Sequence, residues 1–118
     1  MTTNPFIVLL AVDDERLALD IDAFVRNANL AWTVLLARSA EDAFAATVSG
    51  APQLAIISLT SCVGRDKLEA ALQAMCVPIL RYVRPPAPAM HDDAAAVPLP
   101  FSAEGTRHGL ERLGMLLA

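Results

Sequence analysis

Few residues of this chain have the types and spacing that could do chemistry. Two carboxylates stand side by side at Asp13 and Asp14, directly after the apolar run Phe6 to Val12. A hydroxyl, Ser58, lies near the end of a second apolar run, Gln53 to Leu59. Paired carboxylates are hard oxygen ligands, and the ion they suit is a divalent cation such as Mg²⁺. A third carboxylate is what such a site lacks here, because Ser58 can add only a neutral oxygen. Any Mg²⁺ binding at Asp13 and Asp14 is therefore expected to be weak, on the order of millimolar. Helix capping and solvation explain the pair better, so no cofactor and no dedicated metal site are expected.

The remaining candidates have plainer explanations. Asp66, the next acid after Ser58, falls at a predicted helix start, where a negative charge complements the helix dipole. Cys62 lies in a polar loop with nothing near it to lower its pKa, and reads as an ordinary thiol. His91 with Asp92 and Asp93 sits in a proline-rich stretch and reads as solvated surface. His108 falls on the outward side of the last helix. There is no Gly-x-Ser-x-Gly elbow, no glycine-rich phosphate loop and no Cys/His ligand spacing, so no catalytic residue and no enzyme are expected.

Composition narrows the class further. The chain has 118 residues, 55% of them hydrophobic and 19% charged, with a formal net charge of -4. This is the length of one domain, 1–118, with one core. Lys67 is the single lysine and the arginines are scattered, so direct nucleic-acid binding has no electrostatic footprint. The start, Met1 to Pro5, lacks a basic signal-peptide region, and no apolar run is long enough to span a membrane. Two widely spaced cysteines, Cys62 and Cys76, suit a reducing compartment. A cytoplasmic protein with no membrane contact is expected.

Apolar runs alternate with segments of helical period, the pattern of βα units and a mainly parallel sheet. Strands are predicted at Phe6 to Val12, Ala31 to Ala37, Gln53 to Leu59 and Val77 to Val83. Helices are predicted from Glu15 to Ala28, capped by Asp14, and from Ser39 to Ser49, stopped by Gly50 and Pro52. A third is predicted from Arg65 to Met75, with Leu68, Ala71, Leu72 and Met75 buried. Regularity then fails. Pro85, Pro86 and Pro88 forbid helix over the next segment, leaving at most a turn or two from Ala89 to Ala95. A short edge strand, Val97 to Leu99, contains Pro98. Ser102 caps a closing helix whose inward face is Leu110, Leu113 and Leu117.

Three motifs carry a resemblance: Val12-Asp13-Asp14-Glu15 after a strand, Pro52-x-Leu54 before a strand, and Pro100-Phe101 before the last helix. Together they resemble the receiver domain of bacterial response regulators, across the chain except residues 84–96. The resemblance implies a flavodoxin-like (CheY-like) three-layer α/β/α sandwich. Its five-stranded parallel sheet would have order 2-1-3-4-5, and the fourth helix would be shortened or lost. It also implies which parts are missing. The phosphoacceptor aspartate falls on Ser58, the switch hydroxyl on Val83, the conserved lysine on Leu99 and the switch aromatic near Ala96. Only the acidic pair, Asp13 and Asp14, remains. A hydroxyl cannot form an acyl phosphate, so the implied protein is a degenerate receiver of a two-component or phosphorelay system that acts through protein contacts. Its expected partner is a histidine kinase, an output domain or a second copy. The alternatives are the regulatory or dimerisation module of a transcription regulator, and a receiver phosphorylated at another acceptor.

Arg81, Tyr82 and Arg84 are the remaining anomalies. A charge inside a buried strand must be paired or reach water. With the covering helix lost, Arg81 is expected to be solvated or to meet a partner, in preference to folding back toward Asp13 and Asp14. The fourth and fifth strands and the closing helix are therefore expected to form the interaction face and a homodimer contact.

Overall fold

The computed structural model describes residues 6–28, 31–59, 62–83, 94–98 and 102–113. Its strands are β1 (Phe6–Val12), β2 (Trp32–Ala37), β3 (Leu54–Ser58), β4 (Ile79–Val83) and β5 (Ala94–Pro98). Its helices are α1 (Glu15–Asn27), α2 (Ala40–Gly50), α3 (Cys62–Ala74) and α4 (Ala103–Arg112). All strand pairs are parallel, and the strands lie in the order β2-β1-β3-β4-β5. In such a sheet both faces are covered, so β1 and β3 as far as Ile57 are apolar on every residue rather than alternating. Val8 to Val12 and Leu54 to Ile57 are accordingly all buried.

Side chains alternate along each strand and divide the interior in two. On one face Val8, Leu10, Leu54, Ile56, Leu80 and Tyr82 meet Ile21 and Phe24 of α1 and Leu110 of α4. On the other, Leu9, Ala11, Ala55, Ile57 and Ile79 meet Ala43 of α2 and Leu68 and Leu72 of α3. Leu68, Leu72 and Leu110 are each at most 1% exposed. Truncating any of them to alanine would cost about 2–5 kcal/mol through lost burial and the cavity left behind.

The helix ends follow local chemistry. Asp14 caps α1, its Oδ1 accepting from the backbone N–H of Arg16 at 2.9 Å and of Leu17 at 3.4 Å. Ser39 and Ser102 cap α2 and α4 through the N–H groups of Asp42 and Gly105. The stop of α2 is shifted by one residue from expectation. Gly50 is the last helical residue, and the left-handed position falls on Ala51, with φ 46°. Gly50 is needed for a different reason: a Cβ there would lie 2.6 Å from Leu35 Cδ1, so the helix can approach β2 closely.

Three expectations change at the level of elements. Helix α3 starts at Cys62, so the loop after β3 is shorter than the polar sequence suggests. Met75 is 45% exposed rather than buried, because α3 ends at Ala74 and the chain turns away through Cys76 at φ 58°. Strand β5 begins at Ala94, three residues earlier than predicted, since pairing with β4 recruits an alanine run of weak strand propensity. Leu113 packs on the α1/α4 core as expected; Leu117 lies outside the described residues.

Candidate functional site

The carboxyl ends of the strands gather the acidic pair and the serine. Val12 and Ser58 are register partners on β1 and β3, and the Asp13 N–H donates to the Ser58 carbonyl at 3.2 Å. Asp13 and Asp14 are exposed and Ser58 is half-buried. The pair divides its labour. Asp14 spends an oxygen on capping α1, while Asp13 stands at the sheet tip beside Ser58. Among the described residues no group of three or more His, Cys, Asp or Glu side chains could hold a metal ion. With two carboxylates and one neutral hydroxyl, the tip has the oxygen set of an incomplete cation site.

The other predicted positions are scattered by the fold. Val83 ends β4, in register with Pro98, and Ala96 of β5 is in register with Arg81. Leu99 and Arg84 lie outside the described residues, as do His91, Asp92 and Asp93. Cys62 opens α3. Asp66 is exposed on α3, its Oδ1 3.7 Å from Arg65 Nε, and His108 is exposed on α4.

Arg81 and Tyr82 require correction. Arg81 is neither solvated nor turned back to the acidic pair. Its Nη2 donates to Glu69 Oε1 of α3, and Arg65 Nε lies 3.9 Å from Glu69 Oε2 on the opposite side. The Arg81 side chain is 18% exposed and that of Glu69 8%. Burial first, and the neighbouring Arg65 second, pull the Arg81 guanidinium below the ordinary arginine range, with Asp66 opposing. A buried charge persists only when paired, and Glu69 of α3 supplies the pair. The segment where the fourth helix was expected to be shortened or lost, 84–93, lies outside the described residues.

Tyr82 is 4% exposed and shares a hydrogen bond with Thr106 of α4, itself fully buried. Burial pushes the phenol up to about 12, with the Thr106 bond a smaller opposing influence. Tyr82 is therefore an interior anchor and no part of an open surface. Glu69 and Thr106 are the residues that sequence reasoning missed. A signal existed for Glu69: an arginine within a buried strand demands a buried carboxylate, and Glu69 stands four residues from Arg65 on one helix face.

The fold has clear relatives. The chain superposes on the PhyR stress response regulator with TM-score 0.72 and 20% identity, covering 95% of this chain and 46% of that one. It matches the chemotaxis protein CheY4 of Vibrio cholerae with TM-score 0.73 and 16% identity, over 93% and 99% of the two chains. It matches SdrG of Sphingomonas melonis Fr1 with TM-score 0.71 and 18% identity, over 96% and 98%. No protein-family model and no curated protein sequence matches the chain. The likeness is one of fold: this is a parallel α/β/α sandwich with the flavodoxin-like (CheY-like) fold. Among the described residues no helix is long and apolar enough to cross a membrane.

Proposed function

We propose that the chain is a degenerate receiver domain, a signalling module that works through protein contacts and without phosphoryl transfer. The observation that carries this reading is Ser58 at the end of β3, register partner of Val12 and beside Asp13. Receiver chemistry needs a carboxylate there, to accept the phosphoryl group and to complete the Mg²⁺ site. It also needs a cation to stabilise the phosphoryl oxygens, and the resemblance puts Leu99 in that role. A protein of this kind would act in the cytoplasm on a histidine kinase, an output domain or a second copy of itself.

The test is incubation with Mg²⁺ and acetyl phosphate, followed by intact-mass measurement. The unmodified mass is expected throughout. A base-labile gain of one phosphoryl group would reject the reading and identify another acceptor. Mg²⁺ titration followed by backbone shifts at Asp13 and Asp14 sharpens it. Wild type is expected to show no saturation below about millimolar Mg²⁺. Ser58→Asp supplies the third carboxylate and is expected to bind at least about tenfold tighter.

One observation favours a second reading, that the domain regulates a longer protein. The chain spans 46% of the PhyR chain it resembles. An open reading frame that continues into an effector domain would establish this.

A further inference from the structure

Most helices of this chain carry charge along their exposed sides: Glu15, Arg16 and Arg26 on α1, Glu104, Arg107 and Arg112 on α4. Helix α2 does not. After Glu41 and Asp42 in its first turn, no charged residue occurs from position 43 to 59. Its outward side instead offers Phe44, 37% exposed, and Val48, 71% exposed. These residues are four apart on one side of α2, and Phe44 with Glu41 forms one lip of a groove. The facing lip belongs to α3. Gly64, Lys67 and Leu68 line it opposite Glu41 and Phe44. The groove is a cavity of about 220 Å³ lined by Glu41, Phe44 and Lys67 among others.

The charges on this groove are arranged in a particular way. Glu41 stands on the α2 lip and Lys67 on the α3 lip, at the same level of the same cavity. Neither belongs to an ion pair among the described residues; the Lys67 ammonium lies over the Phe44 ring, 5.9 Å from its centroid. A two-fold axis running along the groove exchanges the lips while keeping the level. It sets Glu41 of one copy against Lys67 of the other, twice. A bipolar rim around an uncharged floor is thus complementary to itself, as an isologous interface requires.

We infer that the α2–α3 groove is a homodimer interface whose occupant is a second copy of this chain. The inference names the partner for the contact-based function proposed above. It moves self-association away from β4, where Arg81 and Tyr82 are engaged inside the fold.

Sedimentation of the full chain over a concentration series tests it. Wild type is expected to dimerise reversibly, and Val48→Glu to raise the dissociation constant at least about tenfold. Glu41→Lys and Lys67→Glu are each expected to be monomeric alone, because each puts like charges across the axis. Mixed one to one they are expected to form a heterodimer, since both cross-axis pairs are then opposite in sign. Circular dichroism confirms that each variant is folded. A wild type that remains monomeric at about millimolar concentration overturns the inference. So does a Val48→Glu chain that dimerises normally, or a mixture that stays monomeric. A monomeric wild type that also resists acetyl phosphate leaves the contact-module reading standing. Phosphorylation of a dimer removes that reading and keeps the interface.

Discussion

Strand β4 and helix α2 invert the usual placement of polar and apolar residues, in opposite directions. In β4 two successive residues, Arg81 and Tyr82, carry polar groups into the interior of the sheet and hold a helix on each face through Glu69 and Thr106. In α2 apolar side chains stand outward and charge is confined to the first turn. The difference shows where polarity has a structural use and where its absence exposes a surface. The Arg81–Glu69 pair holds these charges inside, although Arg65 Nε, Glu69 Oε2 and Arg81 Nε are buried without a hydrogen bond among the described residues, which raises the cost of the cluster. An exposed helix has no such need for apolar residues, and Phe44 and Val48 stand outward on α2 beside the α2–α3 groove.

The largest expected effect comes from breaking the β4 anchor. Glu69→Ala leaves Arg81 without its carboxylate and is expected to lower stability by about 3 kcal/mol in urea denaturation. The double variant Glu69→Leu with Arg81→Met is expected to recover most of that loss, since the pair's desolvation is removed with its attraction. If the double variant were as unstable as the single, the ion pair would be irreplaceable rather than self-compensating.

A smaller effect is expected on the opposite face. Thr106→Val removes one hydrogen bond of the buried Tyr82 hydroxyl and is expected to cost about 1 kcal/mol; adding Tyr82→Phe should return part of it. The same phenol predicts a pH dependence. Its folded pKa, about 12, lies above the ordinary value of 10, so the unfolded chain ionises first. Its contribution is fully present below pH 10 and is lost as pH rises toward 12. Alkaline denaturation of wild type should therefore show a downturn in this window that Tyr82→Phe lacks.

The mildest tests concern the helix ends. Asp14→Ala removes the α1 cap and is expected to cost about 1 kcal/mol. Ala51→Gly relieves a left-handed alanine and is expected to stabilise the chain by a few tenths to about 1 kcal/mol. Thermal denaturation resolves both, and a neutral Asp14→Ala would show that the cap adds nothing to stability.

Much of the frame was legible in the residues themselves. Asp14, Ser39 and Ser102 announced their caps because an N-cap is a local contact between a side chain and an N–H two or three residues on. The runs Phe6 to Val12 and Leu54 to Ile57 declared buried parallel strands because neither face of such a strand tolerates charge. Residues separated along the chain were harder. Leu68 and Leu72 were identified from helical period, but Met75 was misplaced because the period persists where the helix ends. The acidic pair and Ser58 were picked out by type and position, whereas Glu69 was signalled only indirectly, by the charge of Arg81 in a buried strand, and Thr106 carried no local sign of its role.

The sequence alone determined the alternation of strand and helix, the capping residues and the lack of a carboxylate at Ser58. Each of these depends on residue identity or on neighbours within a turn. Only the tertiary structure decided that Arg81 finds Glu69, that Tyr82 finds Thr106, and that Glu41 and Lys67 rise on opposite lips of one groove. Those pairings join residues 12, 24 and 26 positions apart, and packing of helices on the sheet, not local preference, brings them together.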